Sequence, residues 1–567
     1  MENLRLVLWV SVVLLVWACL QTWQTDYAPP PAPPAAAVTA PSAPPPQLPA
    51  VPGTAAPQTP AVAAAPLAPS PAAAVAAASA APAAPVVQGE LLRVRTDVLD
   101  LEINTLGGDL QNATLLGYPV NKDQPDVLVK LLTPAPDQLY LFHTGLRAAD
   151  GAPEANHLQL MRAERSEYSL AEGQDELTVV LSWESPGAVA VDKVYRFRRG
   201  RYDVSLEYRI RNLGAAPYSA ASYLQIQRLH NPPEQSYFDV ESYSFTGPLA
   251  YDGDKYEKLD VAELAEVPYK QNVARGWIAS IQHHFLAAAV PPADETWAYD
   301  VTTSGAVYTL SAIGPAVAVA PGAESSIKAR LFVGPKLQSQ LEETGEGLSL
   351  TVDYGVLTLL AQPLFWLLEQ IFKLVGNWGW SIIIATLLIK IAFYKLTEAS
   401  GKSMAKMRKL QPRLQSLQER YKDDRAAMSQ ALMDLYKREK VNPAAGCLPM
   451  LIQMPFFIAF YWVLLESVEM RQAPFALWIS DLSNRDPYFI LPAIMAGAMF
   501  VQTSLNPAPP DPVQAKVMKW MPVVFAGMMA FFPAGLVLYW VTNTALSILQ
   551  QWQINKKLGV DKEPAAA

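Results

Sequence analysis

The stretch SIIIATLLIKIAFYKL, from Ser381 to Leu396, is apolar enough for lipid until it reaches Lys390, and its reading decides the fold. A lysine at the centre of a membrane helix costs on the order of 2.5–3.5 kcal/mol on insertion scales, so it needs either an escape to the interface or polar surroundings. Lys395 lies five residues further on, which brings the interface within reach of a long side chain that snorkels. The polar alternative has its own support. Thr386 sits one turn earlier on the same face, and Gln453, Gln502, Thr542 and Asn543 recur in other apolar runs. Several polar side chains at membrane depth imply a shared hydrated cavity, because each otherwise lacks partners in hydrocarbon.

Working outward, Gly379–Leu396 is one of several candidate spans; the others are Leu448–Ser467, Tyr488–Leu505, Trp520–Phe532 and Gly535–Gln553. Pro533 separates the last two as a tight helical hairpin. Val356–Val375 is nearly long enough to span. However, Gln362, Trp366, Glu369 and Lys373 recur at helical spacing opposite Leu357, Leu360, Leu364, Leu368, Ile371 and Val375, the pattern of an amphipathic helix lying in the outer interface. Were it to span, the Lys/Arg-rich loop Thr397–Gly446 would fall outside, against the positive-inside rule. With a first span at Leu4–Leu20, the expectation is six spans with both termini and the basic loop inside. In that loop Met404, Met407, Leu410, Leu414, Leu417 and Tyr421, followed by Met428, Leu432 and Leu435, predict two short antiparallel helices. Each would be roughly 27 Å long if about eighteen residues are helical.

The composition agrees with membrane spans: 567 residues are 51% hydrophobic and only 17% charged, and the net charge of −8 gives no argument for nucleic-acid binding. Leu4–Leu20 reads as an uncleaved anchor or a cleaved signal, with the anchor favoured. Ala28–Val87 is nearly all Pro, Ala and small polar residues, which bury too little to offset ordering entropy. From Leu91 to Val333 the pattern changes to a period of two. In YDVSLEYRIR, Tyr202, Val204, Leu206, Tyr208 and Ile210 fall on one face and Asp203, Ser205, Glu207, Arg209 and Arg211 on the other. ELTVVLSW and SIKARLFV repeat that alternation, so a large antiparallel β-sandwich is expected. The organisation that results is an anchor over 1–27, a disordered Pro/Ala-rich linker over 28–89 and a β-sandwich over 90–335. Connecting and interfacial amphipathic helices follow over 336–378, then a helical core over 379–557 with a hairpin at 397–446, and a short tail over 558–567.

Little in the chain suggests bond chemistry. The two cysteines, Cys19 and Cys447, fall near opposite membrane faces and offer no disulfide framework. His143, His157, His230, His283 and His284 have no spaced set of ligands or catalytic partners around them and are expected to be surface or structural; no metal or cofactor site follows. No nucleotide loop, nucleophile elbow or intramembrane carboxylate pair occurs, and Glu466 falls at the outer end of its span.

The runs GNWGWSIIIATLLIK, SMAKMRKLQPRLQSLQERY, NPAAGCLPMLIQMPFFIAFYWVL, RQAPFALWISDLS, DPYFILPAIM and FFPAGLVLYWVTN occur in one order across Tyr354–Lys557. In them the chain resembles the YidC/Oxa family of membrane protein insertases, and GWIASIQHHFLAAAVPP resembles that family's periplasmic domain. The resemblance implies a five-helix core around a hydrophilic groove open to the cytoplasm and to lipid, in the bacterial inner membrane, with the β domain periplasmic. A single positive charge in the groove would draw in a polar segment of a nascent membrane protein: here Lys390, with Thr386 and Gln453 as polar neighbours. Transmembrane segments would leave over Met454, Phe457, Met521, Phe525 and Trp540. The hairpin 397–446 would receive clients, and the Sec translocon, the ribosome, the signal recognition particle machinery and membrane lipids would be partners. Many relatives carry arginine where this chain has Lys390, and lysine lacks the planar fork that binds a carboxylate through two hydrogen bonds.

Two other readings compete. A small-molecule transporter or channel also places polar groups in a helical bundle, but it predicts an internal repeat or paired broken helices, which the sequence lacks. An anchored binding protein would make the sandwich the working part and the helices its mount.

Overall fold

In the strand Asp203–Asn212 the alternation read from the sequence becomes two different surfaces. Val204, Leu206, Tyr208 and Ile210 are buried in the core, while Arg209 and Arg211 face out. The acids on the outer face are covered rather than solvated: Arg198 and Arg201 bond Asp203 at 2.6 and 2.8 Å, and Arg196 bonds Glu207 at 2.6 Å. The structure, a computed structural model, describes residues 89–149, 151–232, 244–421, 424–439, 441, 448–505 and 512–559. The anchor expected over 1–27, nearly all of the linker, Cys19, Cys447 and most of the tail lie outside these residues.

Among the described residues two sheets account for Leu91–Pro335. A nine-stranded sheet runs from Tyr256–Lys258 through Trp277–Gln282, Phe285–Val290, Glu324–Pro335, Asp203–Asn212 and Val189–Arg198 to Arg162–Ala163. An eleven-stranded sheet runs from Tyr269–Ala274 through Val307–Ile313, Tyr218–Leu229, Tyr140–Ala148 and Asp109–Asn121 to Glu167–Ser169. Pairing is antiparallel apart from Leu91–Arg95 beside Glu167–Ser169, which is parallel. One hydrophobic core fills the space between the sheets, and Tyr140 ties them by donating to Ser280 O at 2.7 Å and accepting from Ala287 N at 3.0 Å.

A buried polar knot crosses the same core. Asp109 accepts from Thr144 N at 3.0 Å and meets His143 Nδ1 at 2.6 Å, while the fully buried Lys193 donates to Gly107 O and Thr144 O. Burial would raise the Asp109 carboxyl, but His143 and Lys193 beside it hold it below its ordinary value. His143 and His157 are therefore buried structural groups, not surface ones.

Helices α1 (Val261–Glu266) and α2 (Gln338–Thr344) belong to the β-rich part and its exit. Helix α3 (Thr358–Val375) buries Ala361, Leu364, Phe365, Leu368 and Ile371, and exposes Leu359, Trp366, Leu374 and the ion pair Glu369–Lys373. Gly376, at φ 66°, ends it in the left-handed conformation that glycine adopts without penalty. Asn377 then caps α4 (Trp378–Ala392), accepting from Trp380 N at 3.1 Å and donating to Phe475 O at 3.0 Å.

The expected span Gly379–Leu396 is not one straight helix. The chain leaves helical geometry at Phe393 and bends by 72° into α5 (Tyr394–Lys409), where the Phe393 ring packs edge-on against Phe456 at 5.5 Å. The expected hairpin also differs. Its first arm breaks at Leu410 before α6 (Gln411–Arg420), because Pro412, in the first turn of α6, has no N–H with which to continue the hydrogen-bond ladder of α5. The second arm is α7 (Arg425–Arg438), capped by Asp424 and tied back through Arg413–Glu439 at 2.8 Å.

The remaining elements are α8 (Leu448–Glu466), α9 (Ile490–Leu505), α10 (Pro512–Met529) and α11 (Ala534–Leu558). By length and composition one described helix, Gly355–Val375, suffices to cross a membrane. The bent pair α4–α5 passes together, and Gln453–Glu466 and Ile490–Leu505 are shorter apolar helices. Helix lengths alone thus do not give the six expected spans.

Candidate functional site

Lys390 lies in the last turn of α4, half-buried, and its ammonium is directed onto α11. There it donates to Asn543 Oδ1 at 2.9 Å and Ser547 Oγ at 2.6 Å. Asn543 and Ser547 are one turn apart, so a single face of α11 presents both acceptors. Thr386 does not join them: it is buried and donates to Ile382 O of its own helix at 2.7 Å. Gln453, on α8, is half-buried and lies beside the Tyr539 hydroxyl instead. Thr542 likewise bonds its own helix, at Leu538 O. Of the polar residues singled out in the sequence, only Asn543 meets the lysine. Ser547 was missed, although its spacing of four from Asn543 was there to be read.

The apolar residues do converge. Trp540 packs against Phe457 at 5.0 Å and Phe525 at 4.8 Å, joining α8, α10 and α11. Met454 and Met521 are exposed, and the apolar surface continues over Leu387, Leu388 and Ile391 on α4 and over Val524 and Met528 on α10. Such a surface suits lipid or another apolar helix, not water.

At the outer end the segment after α8 is bolted to the β-rich part. Lys336 and Glu466 form a buried ion pair at 3.2 Å, Glu466 also accepts from Ser244 Oγ at 3.0 Å, and Lys336 donates to Thr351 O at 3.1 Å. Tyr354 meets Ser467 Oγ at 3.0 Å, His283 Nε2 meets Leu465 O at 2.9 Å, and Arg471 donates to Pro119 O and Val120 O at 3.0 Å each. Glu466 is thus a buried structural partner rather than an interfacial carboxylate.

A β-rich domain joined to a bundle of apolar helices, with the Lys390 ammonium half-buried against Asn543 and Ser547, is the arrangement of an integral membrane protein. Comparison with known proteins specifies it. Residues 370–562 match the family described as 60Kd inner membrane protein, and residues 91–367 match the YidC periplasmic domain. The chain is 49% identical over 481 residues to the membrane protein insertase YidC of Methylococcus capsulatus, covering 84% of this chain and 87% of that one. It is 46% identical over 568 residues to the protein of the same name from Thioalkalivibrio sulfidiphilus, covering 98% and 99%. A crystal structure of an active YidC insertase is similar at 19% identity and a TM-score of 0.37, covering 82% of this chain and 94% of that one. The chain belongs to the YidC family of membrane protein insertases. Members of this family are bacterial inner-membrane proteins with a periplasmic domain, and they are not enzymes.

Proposed function

We propose that this chain inserts nascent membrane proteins by drawing a polar, often acidic, segment toward the Lys390 ammonium in a hydrated groove, with Thr386 and Gln453 on the polar wall. The apolar part of the client leaves into lipid over Met454, Phe457, Met521, Phe525 and Trp540. A hydrated groove shortens the hydrocarbon that a polar segment must cross, and the fixed cation offsets part of that segment's desolvation penalty. The topology that fits is six spans, five in the core, both termini cytoplasmic, the β domain periplasmic and α3 in the outer interface. The hairpin carrying α6 and α7 receives clients, which arrive from the ribosome and signal recognition particle machinery, and the chain works alone or beside the Sec translocon.

One observation carries the reading: a lysine ammonium is half-buried in the bundle and bonded to Asn543 and Ser547, not extended toward Lys395 and the interface. The test is insertion of a short single-span client into proteoliposomes containing wild type, Lys390→Ala or Lys390→Arg. Alanine is expected to fail and arginine to insert; equal insertion by all three would remove the groove charge from the mechanism.

A further inference from the structure

An ammonium group carries three N–H donors and no acceptor. In Lys390 two are engaged, by Asn543 Oδ1 and Ser547 Oγ, and the third has no partner among the described residues. The same hydrogen bond sets how the Asn543 amide sits: Oδ1 accepts from the lysine, so Nδ2, on the same amide carbon, lies next to that bond with two N–H groups of its own. Nδ2 has no partner among the described residues, and it is not among the sealed, unpaired atoms of the interior. Ser547 is held in turn: its hydroxyl donates to Asn543 O at 2.8 Å, which leaves its lone pairs for the lysine. The remaining donor on Nζ and the donors on Nδ2 therefore belong to two side chains joined by one hydrogen bond of 2.9 Å, Lys390 on α4 and Asn543 on α11.

We infer that Asn543 determines specificity in this groove by acting with Lys390 as a two-pronged donor for a client carboxylate. A carboxylate is bound best by two parallel N–H donors, which an arginine supplies from one side chain and a lysine cannot. Here the second prong comes from a neutral amide one helix away, so the site gains the second hydrogen bond without a second buried charge to desolvate. Its ligand is the carboxylate of an aspartate, a glutamate or a chain terminus in the client's polar segment. The inference rests on the groove reading above and deepens it.

The test uses the full-length chain in proteoliposomes and two matched single-span clients, one with aspartate and one with asparagine in the translocated segment. Asn543→Ala is measured in the Lys390 background and in the Lys390→Arg background. With lysine at 390, the substitution is expected to lower insertion of the aspartate client about tenfold, the equivalent of about 1.4 kcal/mol, and to spare the asparagine client. With arginine at 390, whose fork supplies both prongs, the same substitution is expected to cost less than about twofold. Asn543→Leu, close in size and without donors, gives the same comparison if the alanine variant is recovered poorly. An equal loss in both backgrounds, or for both clients, overturns the inference and makes Asn543 a packing residue of α11. Failure of the groove reading looks different: insertion of the aspartate client would then be indifferent to Lys390→Ala.

Discussion

Replacing Glu466 by alanine should unfasten the β domain from the outer end of α8. Lys336 exposes 2% of its side chain and Glu466 7%, so neither charge has water to fall back on. The substitution leaves the Lys336 ammonium with Thr351 O alone and strips Ser244 of its acceptor. Removing one partner of a buried ion pair costs about 3–5 kcal/mol, because the remaining charge stays desolvated and uncompensated. At a factor of ten for each 1.4 kcal/mol, the equilibrium for opening this junction rises at least about a hundredfold. Exchanging both partners for apolar residues, Lys336→Met with Glu466→Leu, removes the orphaned charge and should stay within about 1 kcal/mol of wild type. The assay is native-state amide hydrogen exchange in nanodiscs, followed in peptides over Gln338–Tyr354 and Ser467–Gln472, since local opening is what exchange reports. Wild-type protection in Glu466→Ala, or a double variant as unprotected as the single one, would refute the reasoning.

Two further substitutions probe the same region. Burial pushes the Glu469 carboxyl up to about 7 from an ordinary 4.5, and its Oε2 is sealed without a partner. The folded state therefore prefers the protonated acid, so its contribution is full below about 4.5 and is lost as pH rises through about 7. Glu469→Gln should slow exchange in Ser467–Gln472 at pH 8, by up to about 2 kcal/mol after allowing for partial exposure, and give no gain at pH 4; a pH-independent effect would count against it. Gly379→Ala should destabilise the start of α4 by about 1–3 kcal/mol, because an added Cβ would stand 2.7 Å from Phe475 Cβ and closer still to its ring. Thermal unfolding in detergent checks this, and an unchanged midpoint would show that the Phe475 loop yields freely.

What could be read from the chain was what depends on near neighbours. The period-two face Val204–Leu206–Tyr208–Ile210 is a local pattern, and the strand at Asp203–Asn212 followed it. The amphipathic pattern of Val356–Val375 gave the middle of the buried face of α3, at Leu364, Leu368 and Ile371, whereas Val375 is exposed and Ala361 and Phe365 complete the face. Lys390 stood out because a cation in an apolar run is costly wherever the chain goes next. Its partners did not stand out, since Asn543 lies 153 residues away and Thr386, the polar residue nearest in sequence, satisfies itself on its own backbone. The bend at Phe393 was silent because no proline or glycine marks it, and the Phe393 ring meets Phe456, 63 positions further along the chain. Asp109 and His143 are 34 residues apart and Lys336 and Glu466 130, so both buried pairs appear only once the fold closes.

The bolting of the segment after α8 has a mechanical consequence. The backbone through Gln338–Tyr354 is one tether between the β domain and the helices; the contacts of Glu466, Ser467 and Arg471 are a second, made without a covalent bond. A body hung from one tether swivels, whereas a body held at two cannot turn without loading both. Any pull on the β domain is therefore felt as torque at the outer end of α8, the helix whose other turns carry Gln453, Met454 and Phe457.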